Sequence, residues 1–161
     1  MAEKITEFPA FKNTYNLPGV KLLPHRPPFL FVDTLVAADE TGGLAEYTFT
    51  MEKNDFFKGH FPEFPIVPGV VLCETMAQAA GAALVARGFL GEESSFILAT
   101  VEHARFYKPV RPGDKFVTVA MNDKLGRIMG IFTGKGYVNG ELAAEVQVKC
   151  MLGPKNYDKL K

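Results

Sequence analysis

The chain has 161 residues, enough for one domain with a single core, and 47% of them are hydrophobic and 22% charged, an ordinary globular composition. Its 18 Lys and Arg cancel its 18 Asp and Glu, so no global field points towards nucleic acid, and a charged partner has to be met by a local patch. No basic stretch followed by an apolar run opens the chain, which argues against secretion; Cys73 and Cys150 lie in apolar runs outside any metal or C-x-x-C spacing and read as buried free thiols in a reducing, cytoplasmic setting.

Residues 1–16 mix charges, aromatics and a proline without a sustained period, so they read as a peripheral tail or short helix ahead of one domain spanning 17–161. Leu17-Pro18-Gly19 marks a turn, and Leu23 to Pro28 (LPHRPP) is a stiff loop that no strand interior would tolerate. Phe29 to Ala37 is a strand candidate, Gly42-Gly43 a turn, and Leu44 to Met51 a second strand. An aromatic loop with three prolines fills 54–69. Pro68-Gly69 then opens a helical run that Gly88 ends.

The run Val70 to Arg87 is apolar and long enough to suggest a membrane span. Glu74, Thr75 and Gln78 interrupt its first half, and a carboxylate in lipid is costly, so the sequence favours a helix wrapped by its own protein and not inserted in a membrane. Everything after Gly88 has strand character: Ser95 to Tyr107, then Lys115 to Asn122, Arg127 to Val138 and Glu141 to Leu152, with Asn139-Gly140 the strongest hairpin turn. In the last strand Leu142, Ala144, Val146, Val148 and Cys150 are expected on one face, with Glu145, Gln147 and Lys149 on the other. With no strand–helix–strand alternation, the pattern predicts an α+β fold in which some six antiparallel strands curl round one long helix. That helix is too apolar to leave a side in water, so a second copy is expected to cover what the sheet does not.

The chemistry concentrates between Gly59 and Gln78. His60 lies among Phe56, Phe57, Phe61 and Phe64, a partly dry setting that favours the neutral imidazole, and a neutral imidazole is a competent general base. Pro68-Gly69 begins the helix, where unpaired amides and the dipole suit a developing oxyanion and where Gly69 lets a carbonyl approach the backbone. Glu74 follows just over one turn later on an apolar segment, where burial favours the protonated acid. Gln78, one turn beyond, can orient that carboxyl. Taken singly, each feature has a plainer explanation: a loop histidine is commonly a hydrogen-bonder, an early-helix glutamate a solvated dipole partner, and Pro-Gly a start signal. Their combination points to acid–base chemistry. His25 is assigned to fixing its proline-rich loop and His103 to an exposed strand position; with no paired spacing among the three histidines, a metal site is not expected.

Three separated motifs carry a resemblance. His25-Arg26-Pro27-Pro28-Phe29-Leu30-Phe31-Val32-Asp33, then His60-Phe61-Pro62 through Pro65, Pro68-Gly69-Val70, Glu74 and Met76-Ala77-Gln78, then Ala104-Arg105-Phe106 with Lys108-Pro109-Val110 and Pro112-Gly113-Asp114, resemble the bacterial (3R)-hydroxyacyl-acyl-carrier-protein dehydratases, the FabZ family, over roughly residues 20–152. The resemblance implies a hot-dog fold, a long central helix wrapped by a curved antiparallel sheet. It implies that His60 and Glu74 are the catalytic pair, that the Gly69 N–H receives the thioester carbonyl, and that Phe61, Val67, Pro68, Gln78 and Phe96 border the substrate. It further implies that His60 and Glu74 of one site come from different subunits, so that a homodimer is the least functional unit and a trimer of dimers a common assembly. The related FabA-like dehydratase–isomerases usually carry aspartate at the position of Glu74, so glutamate here favours plain dehydration.

No cofactor is implied, because the thioester itself is the electron sink. The implied partner is acyl carrier protein, an acidic protein, for which Lys58, Arg105, Lys108, Arg111 and Lys115 are candidate contacts. This chain departs from the family in the run Ser95-Phe96-Ile97-Leu98-Ala99-Thr100: Phe96 or Ile97 stands where a tyrosine gates the acyl tunnel, and Thr100 where glycine is usual. Thr75 replaces the usual alanine beside Glu74. Two other readings fit the same fold, an acyl thioesterase and a non-catalytic acyl-thioester-binding protein. The His-Phe-Pro motif with Glu74 disfavours the first, and the short segment before Leu17, with no room for a helix-turn-helix, disfavours a DNA-linked version of the second.

Overall fold

In the computed structural model, which describes residues 3–91 and 94–154, one helix lies against a single seven-stranded antiparallel sheet. In chain order the elements are β1 (Asn13–Pro18), β2 (Thr34–Asp39), β3 (Gly42–Thr48), α1 (Gly69–Ala86), β4 (Ser94–Phe106), β5 (Lys115–Leu125), β6 (Met129–Val138) and β7 (Glu141–Pro154). The strands are ordered β1-β2-β3-β5-β6-β7-β4, and the sheet curls so that β2 through β7 all touch α1. This is the hot-dog arrangement.

The helix sits deep because it is thin. Every residue from Thr75 to Leu84 is buried, and six of those ten are alanine or glycine, so the strands can close on it. Two sheet glycines complete the fit: a Cβ at Gly134 would lie 2.7 Å from Met76 Cβ, and one at Gly43 would lie 2.6 Å from Ala83 Cβ. The sheet thus buries the middle of the helix, Thr75 to Leu84, within one chain, and leaves its first turn open. The membrane-length apolar run is the core helix of the domain, two-thirds buried in its own sheet (67%). What stays open is Val70 in the helix's first turn (78% exposed), Phe61 and Phe64 in the aromatic loop, and Leu98, Val101 and Phe106 on β4, the edge strand after β7.

Three local expectations need correction. The tail ending at residue 16 runs instead into β1, which pairs with β2 from Asn13↔Ala38 to Pro18↔Thr34; a polar edge strand held by backbone bonds carries no apolar period to reveal it. Phe29 to Asp33 is not strand, because the Phe31 N–H and Phe29 carbonyl bond the Gln78 side chain, while Gly42-Gly43 belongs to β3 and the turn falls at Glu40-Thr41, where Asp39 accepts from the Thr41 amide and hydroxyl. On β7, Ala144 to Cys150 alternate as expected, but the pairing skips Ala143 between Gly136↔Ala144 and Tyr137↔Leu142. This bulge turns Leu142 to the outer face, where it packs with Val119, Tyr137 and the N-terminal Ile5, Phe8 and Phe11. The Ala143 carbonyl, left free of the ladder, accepts from the amides of Tyr107 and Lys108 and so fixes the segment that leaves β4.

Both ends of the helix follow their sequence signals. Pro68 is its N-cap, Gly88 adopts φ +77 just past its end, and the amides of Phe89 and Leu90 return to the Leu84 carbonyl. Cys73 and Cys150 are buried free thiols, as their apolar settings suggested.

Candidate active site

The aromatic loop delivers His60 to the start of α1. A short 3-10 turn at Asp55–Lys58 positions it through the His60 amide, which donates to the Phe56 carbonyl at 2.8 Å. Phe61 then takes φ +54, a left-handed conformation costly for a bulky side chain, and a turn closes as the Phe64 amide donates to the Phe61 carbonyl. The chain returns so that His60 Nδ1 lies 2.9 Å from the Ile66 carbonyl. A carbonyl only accepts, so Nδ1 carries a proton, and in the neutral imidazole Nε2 is the nitrogen with the lone pair. The Phe61 ring sits 4.5 Å from the imidazole, centroid to centroid, and limits its motion.

His60 opens onto a cleft of about 330 Å³ lined also by Ile66, Val67, Gly69, Leu72 and the segment Phe106 to Val110. The Val67 amide donates to the Val110 carbonyl at 2.8 Å and joins the two walls. At its floor the helix begins. Val71 and Leu72 donate to the Pro68 carbonyl, so among the described residues the unpaired amides of the first turn are those of Gly69 and Val70. The Phe106 ring covers this point: a Cβ on Gly69 would lie 2.9 Å from its Cζ. A base with a free lone pair, beside donors suited to negative charge, is an arrangement for removing a proton next to a carbonyl.

Glu74 does not line this cleft. Five residues separate it from Gly69, about 500° of helical rotation, which places the two roughly 140° apart around the axis. There Glu74 Oε1 receives Gln78 Nε2 at 2.9 Å, and His25 Nε2 lies 3.5 Å from the same oxygen. Gln78 is fully engaged: its Oε1 accepts the Phe31 amide at 2.7 Å and its Nε2 also donates to the Phe29 carbonyl at 3.0 Å. The Glu74 charge also reaches Cys150 on β7, whose thiol is pushed up to about 12, mainly by burial and then by that carboxylate. The role expected of His25 in fixing its loop falls instead to Arg26, whose Nη1 donates to the Leu23 and His25 carbonyls.

The structure thus gathers His60, Val67 and Gly69 in one place, with Pro68 as the helix cap and Phe61 beside it. Glu74 and Gln78 stand together on another side. Phe96 is remote from the cleft: it packs on Gly81 and Phe132, twelve residues or roughly 18 Å along the helix from Gly69, and less than one turn beyond Gln78. Of the basic candidates, Lys108 lines the cleft and pairs with Glu141, Lys58 pairs with Asp55, and Lys115 pairs with Glu46. Arg111 lies over the Phe64 ring, 4.7 Å from its centroid; among the described residues neither Arg111 nor Arg105 makes an ion pair. His103 is half exposed on β4, 4.0 Å from Glu145. Tyr107 and Phe106 are cleft residues that the sequence reading did not single out; their only signal was a place inside the third motif.

A curved sheet around one helix defines a hot-dog protein, and at the helix start it sets an imidazole beside unpaired amides. Comparison with known proteins narrows this. Residues 23–147 match the family model described as the FabA-like domain, and the chain belongs to that family. It is 42% identical to the 3-hydroxyacyl-[acyl-carrier-protein] dehydratase FabZ of Haemophilus ducreyi over 81% of this chain and 86% of that one. To the FabZ of Vibrio vulnificus it is 37% identical over 86% of this chain and 94% of that one. Among solved structures it resembles the dehydratase heterocomplex ApeI:P of Xenorhabdus doucetiae, with TM-score 0.70, 18% identity and coverage of 89% and 95% of the two chains. The E. coli PaaI protein, with TM-score 0.57, 17% identity and coverage of 73% and 80%, shares the fold.

Proposed function

We propose that this protein is a 3-hydroxyacyl-[acyl-carrier-protein] dehydratase that removes water from (3R)-hydroxyacyl thioesters to give trans-2-enoyl thioesters in fatty acid biosynthesis. The observation that carries the reading is His60, whose Nδ1 lies 2.9 Å from the Ile66 carbonyl so that Nε2 is the accepting nitrogen of the neutral ring, in one cleft with Gly69 at the helix start. The thioester carbonyl accepts from the Gly69 amide, and Nε2 takes a C2 proton. As the C3–O bond breaks, the hydroxyl leaves with the Glu74 proton as water. Solvent then carries the proton from the imidazolium back to the carboxylate. General acid–base help of about 10²–10⁴-fold per group, with a similar contribution from the oxyanion donors, is the expected scale.

The angle between Gly69 and Glu74 supports a site shared between two copies, since a substrate held at one chain's Gly69 faces away from that chain's Glu74. A homodimer is also supported by β4, a thirteen-residue edge strand that exposes Leu98 and Val101 and needs cover. Further assembly into a trimer of dimers is compatible with this pairing. The acyl group arrives on acyl carrier protein, whose acidic surface meets Lys108 at the cleft and Arg111 over Phe64, with Arg105 preceding the cleft segment and Lys58 two residues before His60. Two buried free thiols fit a reducing compartment, and we place the enzyme in the cytoplasm.

The test is turnover of 3-hydroxyacyl carrier substrates of several chain lengths, read by enoyl absorbance. Release of free thiol without enoyl formation would make the protein a thioesterase, and tight binding without turnover would make it an acyl-thioester-binding protein.

A further inference from the structure

The geometry points to His25 as a positioning residue that, with Gln78, fixes Oε1 of Glu74 as an acceptor and thereby leaves the acid proton on Oε2. The inference rests on the dehydratase reading and extends it to the loop before β2. His25 and Glu74 are 21% and 19% exposed, and Nε2 stands 3.5 Å from Oε1, about 0.5 Å longer than a formed N–H···O bond. The other ring nitrogen, Nδ1, is buried and meets no hydrogen-bonding group among the described residues. A proton on Nδ1 would be a buried donor without an acceptor. Of the two neutral tautomers the geometry therefore favours the one with Nδ1 bare and the proton on Nε2, aimed at Glu74.

Gln78 cannot trade places with His25 or reverse its amide. Its carbonyl oxygen is held by the Phe31 amide and its nitrogen by the Phe29 carbonyl, so the remaining N–H must point at Oε1. Oε1 then faces two donors with its two lone pairs, a place where a third proton cannot sit. Oε2 is the oxygen left to carry the acid proton to the leaving hydroxyl. His25 does not line the cleft beside Gly69 of its own chain, and its imidazole stands next to Glu74.

The test compares His25→Phe, which keeps an aromatic ring and removes the donor, with His25→Gln, which restores an N–H. In dehydration of a 3-hydroxyacyl thioester, His25→Phe is expected to lower kcat about tenfold with KM unchanged, and His25→Gln to recover most of it. Unchanged kcat in His25→Phe overturns the inference. So does an equal fall in both variants with a raised KM, which would mean the residue only shapes its loop. Should His25→Phe fail to fold, long-range 1H–15N spectra of the wild-type protein decide instead: a protonated Nε2 and bare Nδ1 uphold the assignment, and the reverse tautomer ends it. Wild-type protein inactive on every 3-hydroxyacyl thioester would remove the dehydratase reading separately, and the spectra would still decide whether His25 donates to Glu74.

Discussion

The two sides of the first turns of α1 are built from different materials. On the cleft side the working groups are a backbone amide, a glycine and a loop histidine whose proton is tied to a carbonyl, leaving a bare nitrogen. On the other side Glu74 stands among side-chain donors, Gln78 bonded and His25 within reach, that turn one of its oxygens into an acceptor. On the proposed assignment the two histidines hold opposite tautomers, because Nδ1 of His60 meets a carbonyl and Nδ1 of His25 meets no partner among the described residues. In the proposed reaction one side takes a proton and the other gives one. A helix keeps them rigidly related but facing apart.

The largest effects should come from disabling either side. His60→Ala and Glu74→Gln are each expected to lower kcat for dehydration by about 10²–10⁴-fold. Co-expressing the two inactive variants breaks or sharpens the picture further. If each site combines groups of two copies, random dimers contain one intact site in half of the molecules, and about a quarter of wild-type activity returns. If a single chain supplies both groups, no activity returns.

A smaller loss is expected from Gly69→Ala. Its Cβ would press on Phe106 Cζ at 2.9 Å, but that ring is half exposed and can swing aside, so the melting temperature should change little. Activity should fall about 10- to 100-fold, because the methyl stands where the carbonyl approaches the backbone. A large drop in melting temperature with full activity would show that the glycine serves packing alone.

Much of this was legible in the sequence, and the gaps have physical causes. The helix, the Asn139-Gly140 hairpin, the glycine stop and the residues His60, Gly69, Glu74 and Gln78 follow from period, turn chemistry and spacing. Strand β1 did not, since its edge position asks nothing of its side chains. Leu142 was assigned to the wrong face because one unpaired residue at Ala143 reverses everything before it, and alternation cannot reveal a bulge. His25 was read as a loop fixture because its contact with Glu74 spans 49 residues, and no local pattern encodes it. The separation of Gly69 and Glu74 was available from helical geometry, yet their nearness in sequence suggested a single constellation.

Gln78→Leu should separate the two sides by stability. It strands the buried Phe31 amide and removes the donor to Glu74, so a loss of about 1–3 kcal/mol is expected in urea unfolding, accompanied by reduced kcat. Gly69→Ala should cost far less stability for a comparable loss of activity. Equal destabilisation by both would mean that the acid side is no more a part of the core than the cleft.

The smallest effect concerns how far the Glu74 charge reaches across the core. Cys150 is fully buried, and its thiol is raised from the ordinary 9.0 to about 12, first by burial and then by Glu74. Between those values the unfolded chain loses the thiol proton while the folded chain keeps it, so stability falls as pH rises through that window, by roughly 4 kcal/mol across the whole of it. Cys150→Ala should flatten the decline of the urea midpoint between about pH 9 and 11. Cys73 and Tyr137, also raised chiefly by burial, should maintain a residual slope. Glu74→Gln removes only the second cause, so it should relax the slope by less than Cys150→Ala does. If it leaves the slope untouched, the carboxylate is screened from the core and its influence ends at Gln78 and His25.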